Sequence, residues 1–156
     1  MARNERSAGF LIFHRRPGAD PRNDLRFLLL DYGRHWDFAK GHVDKGETDL
    51  DAAVRELREE TGITQFTQVP EFQQEIVYFF RSGRHGLIRK TVVFFLAEVA
   101  RTPVILSEEH VGHEFLPFEA AVKRATFAAG KELLRAAHEC LTAAPSTSVT
   151  TATPTS

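Results

Sequence analysis

Apolar residues cluster in four segments that are rich in Val, Ile, Leu and Phe, separated by stretches that contain Gly, Pro, Asp and Asn. Segments of this length and composition are typical of β-strands. A Pro/Gly/Asp/Asn loop at 17–24 joins the first two, and a loop at 82–89 with two glycines joins the last two as a long hairpin. We predict strands at Ala8–Arg15, Arg26–Tyr32, Gln73–Arg81 and Lys90–Ala100, and a short one at Val104–Ser107.

The clearest helix is predicted at Asp49–Thr61. Thr48 can accept a hydrogen bond from the first turn as the N-cap, and Gly62 stands where a left-handed residue commonly ends a helix. The apolar residues of this segment recur at positions i, i+3, i+4 and i+7, which predicts one buried helix face. This predicted core stripe consists of Leu50, Ala53, Val54 and Leu57.

Two further helices are predicted near the C-terminus, a short one at Phe118–Arg124 and an amphipathic one at Gly130–Leu141. Strands interleaved with helices predict an α/β or α+β domain around a mixed sheet. Residues 141–156 carry no charge and are mostly Ser, Thr, Ala and Pro. We therefore predict one domain over residues 1–140, followed by a disordered tail.

Composition narrows the class of protein. The 156 residues are 42% hydrophobic and 26% charged, which suffices for a single core without disulfide or metal support. Twenty Lys and Arg balance 21 Asp and Glu, so nothing favours a general nucleic-acid or membrane-surface binder. The single cysteine, Cys140, excludes an internal disulfide, and no apolar run reaches membrane length. We expect no signal peptide, because the apolar run Gly9–Phe13 is too short for its core. We therefore expect a cytoplasmic protein.

The acidic residues are unevenly distributed, with seven of the 21 between Asp44 and Glu60. At about 100° per residue, Glu56, Glu59 and Glu60 share one side of the predicted helix, and we expect all three to point away from the core stripe. Like charges at this spacing repel, and clustered carboxylate oxygens favour Mg²⁺ or Mn²⁺. The alternative is a solvated acidic face, because charge runs usually are solvated.

The spacing of residues around this helix is more specific than its charge. From Gly41 the chain reads GHVDKGETDLDAAVRELREETGI. Five residues separate Gly41 from Glu47, and seven more precede Arg55-Glu56; Glu59-Glu60 and then Gly62 follow at fixed intervals. At every defining position this segment resembles the Nudix box of the Nudix hydrolases. The resemblance implies an α/β/α sandwich with a central mixed sheet, and hydrolysis of a nucleoside diphosphate linked to another group.

The resemblance also implies roles for residues of the box. Arg55 would orient the carboxylates, Glu47 would pair with Arg55 or support the metal, and Gly41 and Gly62 would serve the loop backbone. The implied metal ligands for Mg²⁺ or Mn²⁺ are Glu56, Glu59 and Glu60. A later glutamate of the family, matched here by Glu109, acts as a further ligand or as the general base, with Glu108 as the rival candidate. The implied catalytic set is Glu56, Glu59, Glu109 and Arg55.

Other segments resemble one branch of the family. The stretches RHWDFAKGHVDKGETD, RKTVVFFLAEV and LSEEHVGHEFLPFEAA are similar to the asymmetric dinucleoside tetraphosphate hydrolases, which split diadenosine tetraphosphate into ATP and AMP. The resemblance implies that His35, Lys40 and Lys90 bind the phosphate chain and that Tyr78 and Phe127 stack on an adenine. The alternatives are an ordinary loop pair for His35 and Lys40, a strand-edge charge for Lys90, and simple core packing for the two aromatic residues.

The resemblance thus predicts a metal-dependent hydrolase whose partner is a small-molecule dinucleoside polyphosphate. We expect a monomer without a stable nucleic-acid partner and without a membrane association. Two alternatives stay open: another Nudix pyrophosphohydrolase, acting on RNA 5′-pyrophosphate or nucleoside triphosphates, or a nucleotide-sensing module that binds without hydrolysis.

Overall fold

The described chain runs through four strands, one helix, three strands and two helices. The computed structural model describes residues 3–16, 24–100 and 110–143. The strands are β1 Arg3–Arg15, β2 Leu25–Asp31, β3 Trp36–Asp37, β4 Ala39–His42, β5 Thr67–Ser82, β6 Gly86–Glu98 and β7 Gly112–Pro117. The helices are α1 Asp49–Thr61, α2 Phe118–Arg124 and α3 Ala128–Thr142.

The strands form one mixed sheet in the order β3-β2-β1-β6-β5, with β4 paired to β1 and β7 paired to β2. β1 and β6 are parallel, whereas the other pairs are antiparallel. The predicted long hairpin is confirmed, and its turn is tighter than expected, because Ser82 pairs directly with Gly86. The sequence did not predict β3, β4 or β7, which are short.

Each face of the sheet is covered by helices. Phe10 and Ile12 of β1 pack with Ala53 and Leu57 of α1 in one core cluster. The alternate residues of β1, such as Leu11, pack in a second cluster that includes residues of α2 and α3. Because neighbouring strand residues point to opposite faces, one strand contributes to both cores. The predicted α/β/α sandwich with a central mixed sheet is confirmed.

The bounds of α1 match the prediction and have a local cause. The side chain of Thr48 accepts a hydrogen bond from the backbone N–H of Asp51 at 3.0 Å, and the Asp51 carboxylate accepts one from the Thr48 N–H at 3.2 Å. Gly62 adopts φ 76°, in the left-handed region, and its N–H donates to Arg58 O at 2.8 Å. This capping box and glycine cap fix both ends of the helix that carries the acidic residues.

The predicted core stripe of α1 is wrong in part. Leu50 is 37% exposed, and the buried residues of the helix are Ala52, Ala53, Leu57, Glu60 and Thr61. The buried face is therefore rotated from the stripe toward Glu60. Two alanines and a threonine let the helix approach β1 and β4 closely on that side, and Leu50 in the first turn is left outside the contact.

Three further predictions concern the C-terminal half. The helix predicted at Phe118–Arg124 is confirmed, and the last helix extends by two residues at its start and by one at its end, to Thr142. The domain boundary predicted after residue 140 therefore falls inside α3. The strand predicted at Val104–Ser107 and the tail from residue 144 lie outside the described residues. Within the described ranges, no helix is long and apolar enough to span a membrane.

Candidate active site

Arg55 is the centre of an ion-pair network on the exposed side of α1. Its guanidinium donates to both carboxylate oxygens of Glu47, from Nε at 2.7 Å and from Nη2 at 3.0 Å. Nη1 donates to Glu56 Oε2 at 2.8 Å and to Glu59 Oε1 at 3.3 Å, and Nη2 donates to the backbone carbonyl of His42 at 2.9 Å. One planar cation thus joins the loop before α1 to two glutamates of the helix.

The network shifts the acidity of its members. The Arg55 hydrogen bond, together with a backbone hydrogen bond from Asp44, lowers the pKa of Glu47 to about 2. The hydrogen bond to Glu47 raises the pKa of Arg55 above its ordinary value, although partial burial opposes this shift. Both groups therefore stay charged at neutral pH, and the cationic fork remains available to hold Glu56 and Glu59.

Gly41 has a steric role that its sequence position did not indicate. A Cβ built on Gly41 would lie 2.0 Å from Cδ of Glu56 and within 2.4 Å of both of its carboxylate oxygens. The backbone of β4 therefore approaches the Glu56 carboxylate so closely that any side chain at position 41 would displace this carboxylate. Gly62 serves differently, through its left-handed conformation at the end of α1.

The expectation that three glutamates point together away from the core is wrong for Glu60. This residue is only 5% exposed, and its Oε1 lies 3.0 Å from the Tyr32 hydroxyl and 3.3 Å from Nε2 of buried His110. Glu60 follows Leu57 by three residues, so it lies on the flank of the buried face. Glu56 and Glu59 turn toward Arg55, whereas Glu60 turns inward between an aromatic hydroxyl and an imidazole.

The donor set can be tested against a divalent cation. Among the described residues, no three His, Cys, Asp or Glu side chains are grouped closely enough to hold a metal ion. The carboxylates of Glu56 and Glu59 nevertheless converge on one nitrogen of Arg55, at 2.8 and 3.3 Å. Two hard oxygen donors aimed at one cationic group fit the preferences of Mg²⁺ and Mn²⁺. Glu109 and its rival Glu108 lie outside the described residues.

A cavity of about 460 Å³ lies beside β4, and Lys40 of that strand lines it. Ala39 and Gly41, the two neighbours of Lys40, face α1 instead, because successive strand residues point to opposite sides. Four of the residues predicted to bind substrate line this cavity, namely His35, Lys40, Tyr78 and Phe127. The rest of the lining consists of Asp37, Phe38, Ile76, Val77, Val92, Phe94, Ala129 and Gly130. Tyr78 is 42% exposed and Phe127 is 50% exposed, so neither ring is buried core. The structure therefore brings together side chains from four separate segments of the chain.

Two lysines lie in or next to this cavity: Lys40 belongs to its lining, whereas Lys90 does not. Lys40 Nζ donates to Asp37 Oδ2 at 2.8 Å and lies 5.7 Å from the centroid of the Tyr32 ring. Lys90 is the cross-strand partner of Tyr78, next to the cavity. Burial lowers the pKa of Lys90, and the charge of Lys40 lowers it further, whereas Glu5 opposes both effects. Two lysines close enough to repel each other would gain from an anionic ligand.

Sequence reasoning missed two residues that link the parts of this site, Tyr32 and Asp37. The Tyr32 ring stacks on His35, with centroids 5.0 Å apart and an interplanar angle of 11°, while its hydroxyl reaches Glu60. Asp37 holds Lys40. Both residues lie in or beside the short β2–β4 segment, where polar side chains directly follow a buried strand; that pattern was the available signal.

Comparisons with known proteins agree with this geometry. The NUDIX domain family matches residues 3–137. The asymmetrical bis(5′-nucleosyl)-tetraphosphatase of Mus musculus is 40% identical over 149 residues, covering 90% of this chain and 97% of that protein. Its counterpart in Caenorhabditis elegans is 35% identical over 136 residues, covering 83% and 91%.

A solved structure extends the likeness to three dimensions. The crystal structure of a C. elegans Ap4A hydrolase binary complex superposes with a TM-score of 0.76 at 32% sequence identity, covering 88% of this chain and 97% of that one. The likeness spans nearly the whole of both chains, and the family match includes the entire glutamate helix and the cavity. The chain belongs to the NUDIX domain family.

Proposed function

We propose that this chain is an asymmetric hydrolase of diadenosine tetraphosphate and related dinucleoside polyphosphates, with ATP and AMP as products. One observation carries the proposal: a single cavity lined by two exposed aromatic rings and by Lys40 adjoins the strand that touches the glutamate helix. The relatives that are named asymmetrical bis(5′-nucleosyl)-tetraphosphatases support it, because they match this chain over most of its length.

Tyr78 and Phe127 are proposed to hold one adenine of the substrate. Both rings line the cavity and remain about half exposed, so each has a face that a base can cover. Stacking of a base on an aromatic side chain contributes roughly 1–3 kcal/mol. The proposed contact would therefore fix the nucleoside while leaving the phosphate chain to run toward β4.

Lys40, His35 and Lys90 are proposed to bind the phosphates. Lys40 is already oriented by Asp37, and His35 is held flat against Tyr32, so little side-chain freedom is lost on binding. The lowered pKa of Lys90 reflects a partly buried ammonium group, and a phosphate beside it would compensate its lost hydration.

Glu56, Glu59, Glu60 and Glu109 are proposed to hold a divalent ion, Mg²⁺ or Mn²⁺, as NUDIX hydrolases generally use divalent metals. When bound, such an ion neutralises phosphate charge and makes a bound water more acidic. Arg55 keeps Glu56 and Glu59 together, and Glu47 anchors Arg55 to the preceding loop. Glu109 is proposed either as a further metal ligand or as the general base that would accept a proton from the attacking water, with Glu108 as the rival candidate.

Product analysis tests the reaction. Purified protein is incubated with diadenosine tetraphosphate and Mg²⁺, and the nucleotides are separated by chromatography. We expect equal amounts of ATP and AMP, because water attack at a phosphorus next to one adenosine leaves four phosphates divided three to one. Two molecules of ADP per substrate, or no product with either Mg²⁺ or Mn²⁺, would contradict the proposal.

A matched pair of variants tests the proposed metal ligands. Glu59→Gln keeps the size of the side chain and removes a carboxylate beside Arg55, and we expect turnover to fall by more than about tenfold. Glu119→Gln makes the same chemical change at an exposed position of α2 and should leave turnover unchanged. Activity of Glu59→Gln within about tenfold of wild type would show that the ligand assignment is wrong.

The proposal also covers the location of the protein in the cell, its partners and the extent of its catalytic domain. We propose a cytoplasmic enzyme acting on a small molecule, without a stable nucleic-acid partner, because the single cysteine and the balanced charge favour that setting. Residues 1–140 are proposed to form the catalytic domain, with its last helix running slightly further, and residues 144–156 to be dispensable for activity.

A further inference from the structure

The outer edge of β5 combines two features that edge strands usually avoid. In the described part of the chain β5 pairs only with β6, so its other edge has no partner strand. Four consecutive apolar residues on it are exposed: Val77 at 42%, Tyr78 at 42%, Phe79 at 57% and Phe80 at 39%. Open edges of monomeric proteins are normally protected by charged residues, bulges or proline, and a large exposed apolar patch marks an interaction surface.

The charges that flank this apolar run are separated by sign. Glu71 and Glu75 precede it, whereas Arg81 and Arg84 follow it. Among the described residues, Glu75 has one ion-pair contact, 3.6 Å from Nη2 of Arg6, and Arg81 has none. A second β5 strand running antiparallel would place its basic end beside the acidic end of the first, whereas a parallel strand would oppose like charges.

We propose that two copies of this chain pair through the outer edges of β5, antiparallel, with Tyr78 on the twofold axis. The strand is regular where this pairing would occur, because residues 73–82 match residues 86–95 of β6 without interruption and the register shift lies upstream. The pairing would join the two seven-stranded sheets into one and would satisfy the backbone groups of both edges.

Symmetry and charge together select the register. A twofold axis perpendicular to the sheet keeps each sheet face on its own side, so even-numbered residues oppose even-numbered ones and odd oppose odd. Centred on Tyr78, the pairing sets Glu75 opposite Arg81 twice, and it sets every residue between them opposite an apolar one. The two nearest allowed registers, centred on Val77 or Phe79, place a charged residue opposite an apolar one and lose the ion pairs.

The proposal replaces the expectation of a monomer and does not depend on the proposed function. It does bear on the cavity, because Ile76 and Tyr78 line it from the same face of β5. In the selected register, Tyr78 of the second copy would lie directly beside Tyr78 of the first. Each cavity would then adjoin an aromatic ring from the other copy.

Sedimentation velocity on the full chain, from micromolar to millimolar protein, tests the pairing. A single strand pair covers less area than the roughly 800 Å² per partner of a stable interface. We therefore expect a reversible equilibrium that approaches twice the monomer mass at high concentration. A monomer throughout this range would overturn the proposal.

Charge reversal tests the register. Glu75→Arg and Arg81→Glu each create two like-charge pairs across the axis, and we expect each to raise the dimer dissociation constant by at least about tenfold. The double variant Glu75→Arg/Arg81→Glu restores both pairs with reversed polarity and should return the constant to within about threefold of wild type. Glu119→Arg, an exposed glutamate on α2, is the matched control and should leave the constant unchanged.

Phe79→Lys gives a second, independent variant, because it places a charge in the middle of the exposed run and should abolish the dimer. Thermal unfolding of each variant checks that the fold is intact. The proposal is overturned if neither charge reversal changes the dissociation constant of the dimer, or if the double variant does not restore it. Either result would mean that the dimer forms through another surface. A lipid-binding surface is the other outcome that would overturn the proposal. In that case the wild type would stay monomeric and co-sediment with vesicles of phosphatidylserine and phosphatidylcholine, and the Phe79→Lys variant would not bind them.

Discussion

The hydroxyl of Tyr32 lies 3.0 Å from Oε1 of Glu60 and 3.2 Å from the backbone carbonyl of Phe38. A hydroxyl has one proton, and a charged carboxylate is the stronger acceptor. The same side chain stacks its ring on His35 in the cavity. Tyr32 therefore contacts the glutamate helix with one end and the proposed phosphate-binding wall with the other.

Removing this hydroxyl should reduce turnover more than substrate affinity. For Tyr32→Phe we expect kcat to fall by about tenfold and KM to change by less than about threefold, because a hydrogen bond to a charged group is worth about 1.5–3 kcal/mol and the ring still supports His35. Steady-state kinetics with diadenosine tetraphosphate measures both constants. Tyr78→Phe removes the other tyrosine hydroxyl of the chain and should leave kcat nearly unchanged. Equal losses in the two variants would contradict the role assigned to Tyr32.

A methyl group at position 41 should disable the site without unfolding the chain. The added Cβ of Gly41→Ala would lie 2.0 Å from Cδ of Glu56, so the carboxylate must move away from Arg55. We expect activity to fall by about 10–100-fold, the range typical when a group that orients a metal ligand is lost. Gly83→Ala adds the same methyl group where nothing lies within 4 Å, and it should retain full activity.

Thermal denaturation of both glycine variants shows whether a loss of activity comes from unfolding or from local displacement of the Glu56 carboxylate. A melting temperature of Gly41→Ala within a few degrees of wild type, with activity lost, agrees with local displacement of Glu56. Full activity of this variant would mean that the Glu56 carboxylate does not need its observed position.

Aromatic stacking in the cavity should appear mainly in KM. Truncation by Phe127→Ala removes an exposed ring worth roughly 1–3 kcal/mol of base stacking, so we expect KM to rise by about 5- to 150-fold. Phe127→Trp keeps a flat aromatic face and should stay within about threefold of wild type. Because Phe127 is 50% exposed, its truncation should cost little stability, and a large drop in melting temperature would contradict the proposed role.

The pairing of Glu47 with Arg55 predicts a specific acid sensitivity. The pKa of Glu47 is lowered from 4.5 to about 2, so its ionised form stabilises the folded state at any pH above about 4.5, and this contribution is lost as pH falls toward 2. Glu47→Gln should therefore be less stable than wild type at about pH 7, and the difference should shrink between about pH 4.5 and 2. Urea denaturation in EDTA at several pH values measures it; a difference that grows on acidification would have the wrong sign.

Divalent metal should stabilise the wild-type chain much more than a chain that lacks two of its proposed ligands. A ligand at one hundred times its dissociation constant stabilises the folded state by about 2.7 kcal/mol through mass action. We expect Mg²⁺ or Mn²⁺ to raise the melting temperature of EDTA-treated wild type, with at most a small effect on Glu56→Gln/Glu59→Gln. Equal shifts in both proteins would place the metal elsewhere.

Local sequence signals predicted the helix that carries the chemistry, including both of its ends. Thr48, Asp51 and Gly62 act on their immediate neighbours, so their effect is readable without the rest of the fold. The spacing of Arg55, Glu56 and Glu59 also places them on one side of α1 by helix geometry alone. The mixed sheet was predicted because helices are interleaved with the strands. The short strands were missed because two to six residues give too weak a pattern.

The sequence by itself thus determined the family, the glutamate helix and the identity of the residues around it. Only the tertiary structure decided that Glu60 turns inward to Tyr32 and His110, because the burial of one flank of α1 depends on how closely the helix packs on the sheet. It also decided that side chains from four segments share one cavity and that the apolar run of β5 lies on an open edge. Strand order and long-range packing set these relationships, and neither is encoded in the spacing of neighbouring residues.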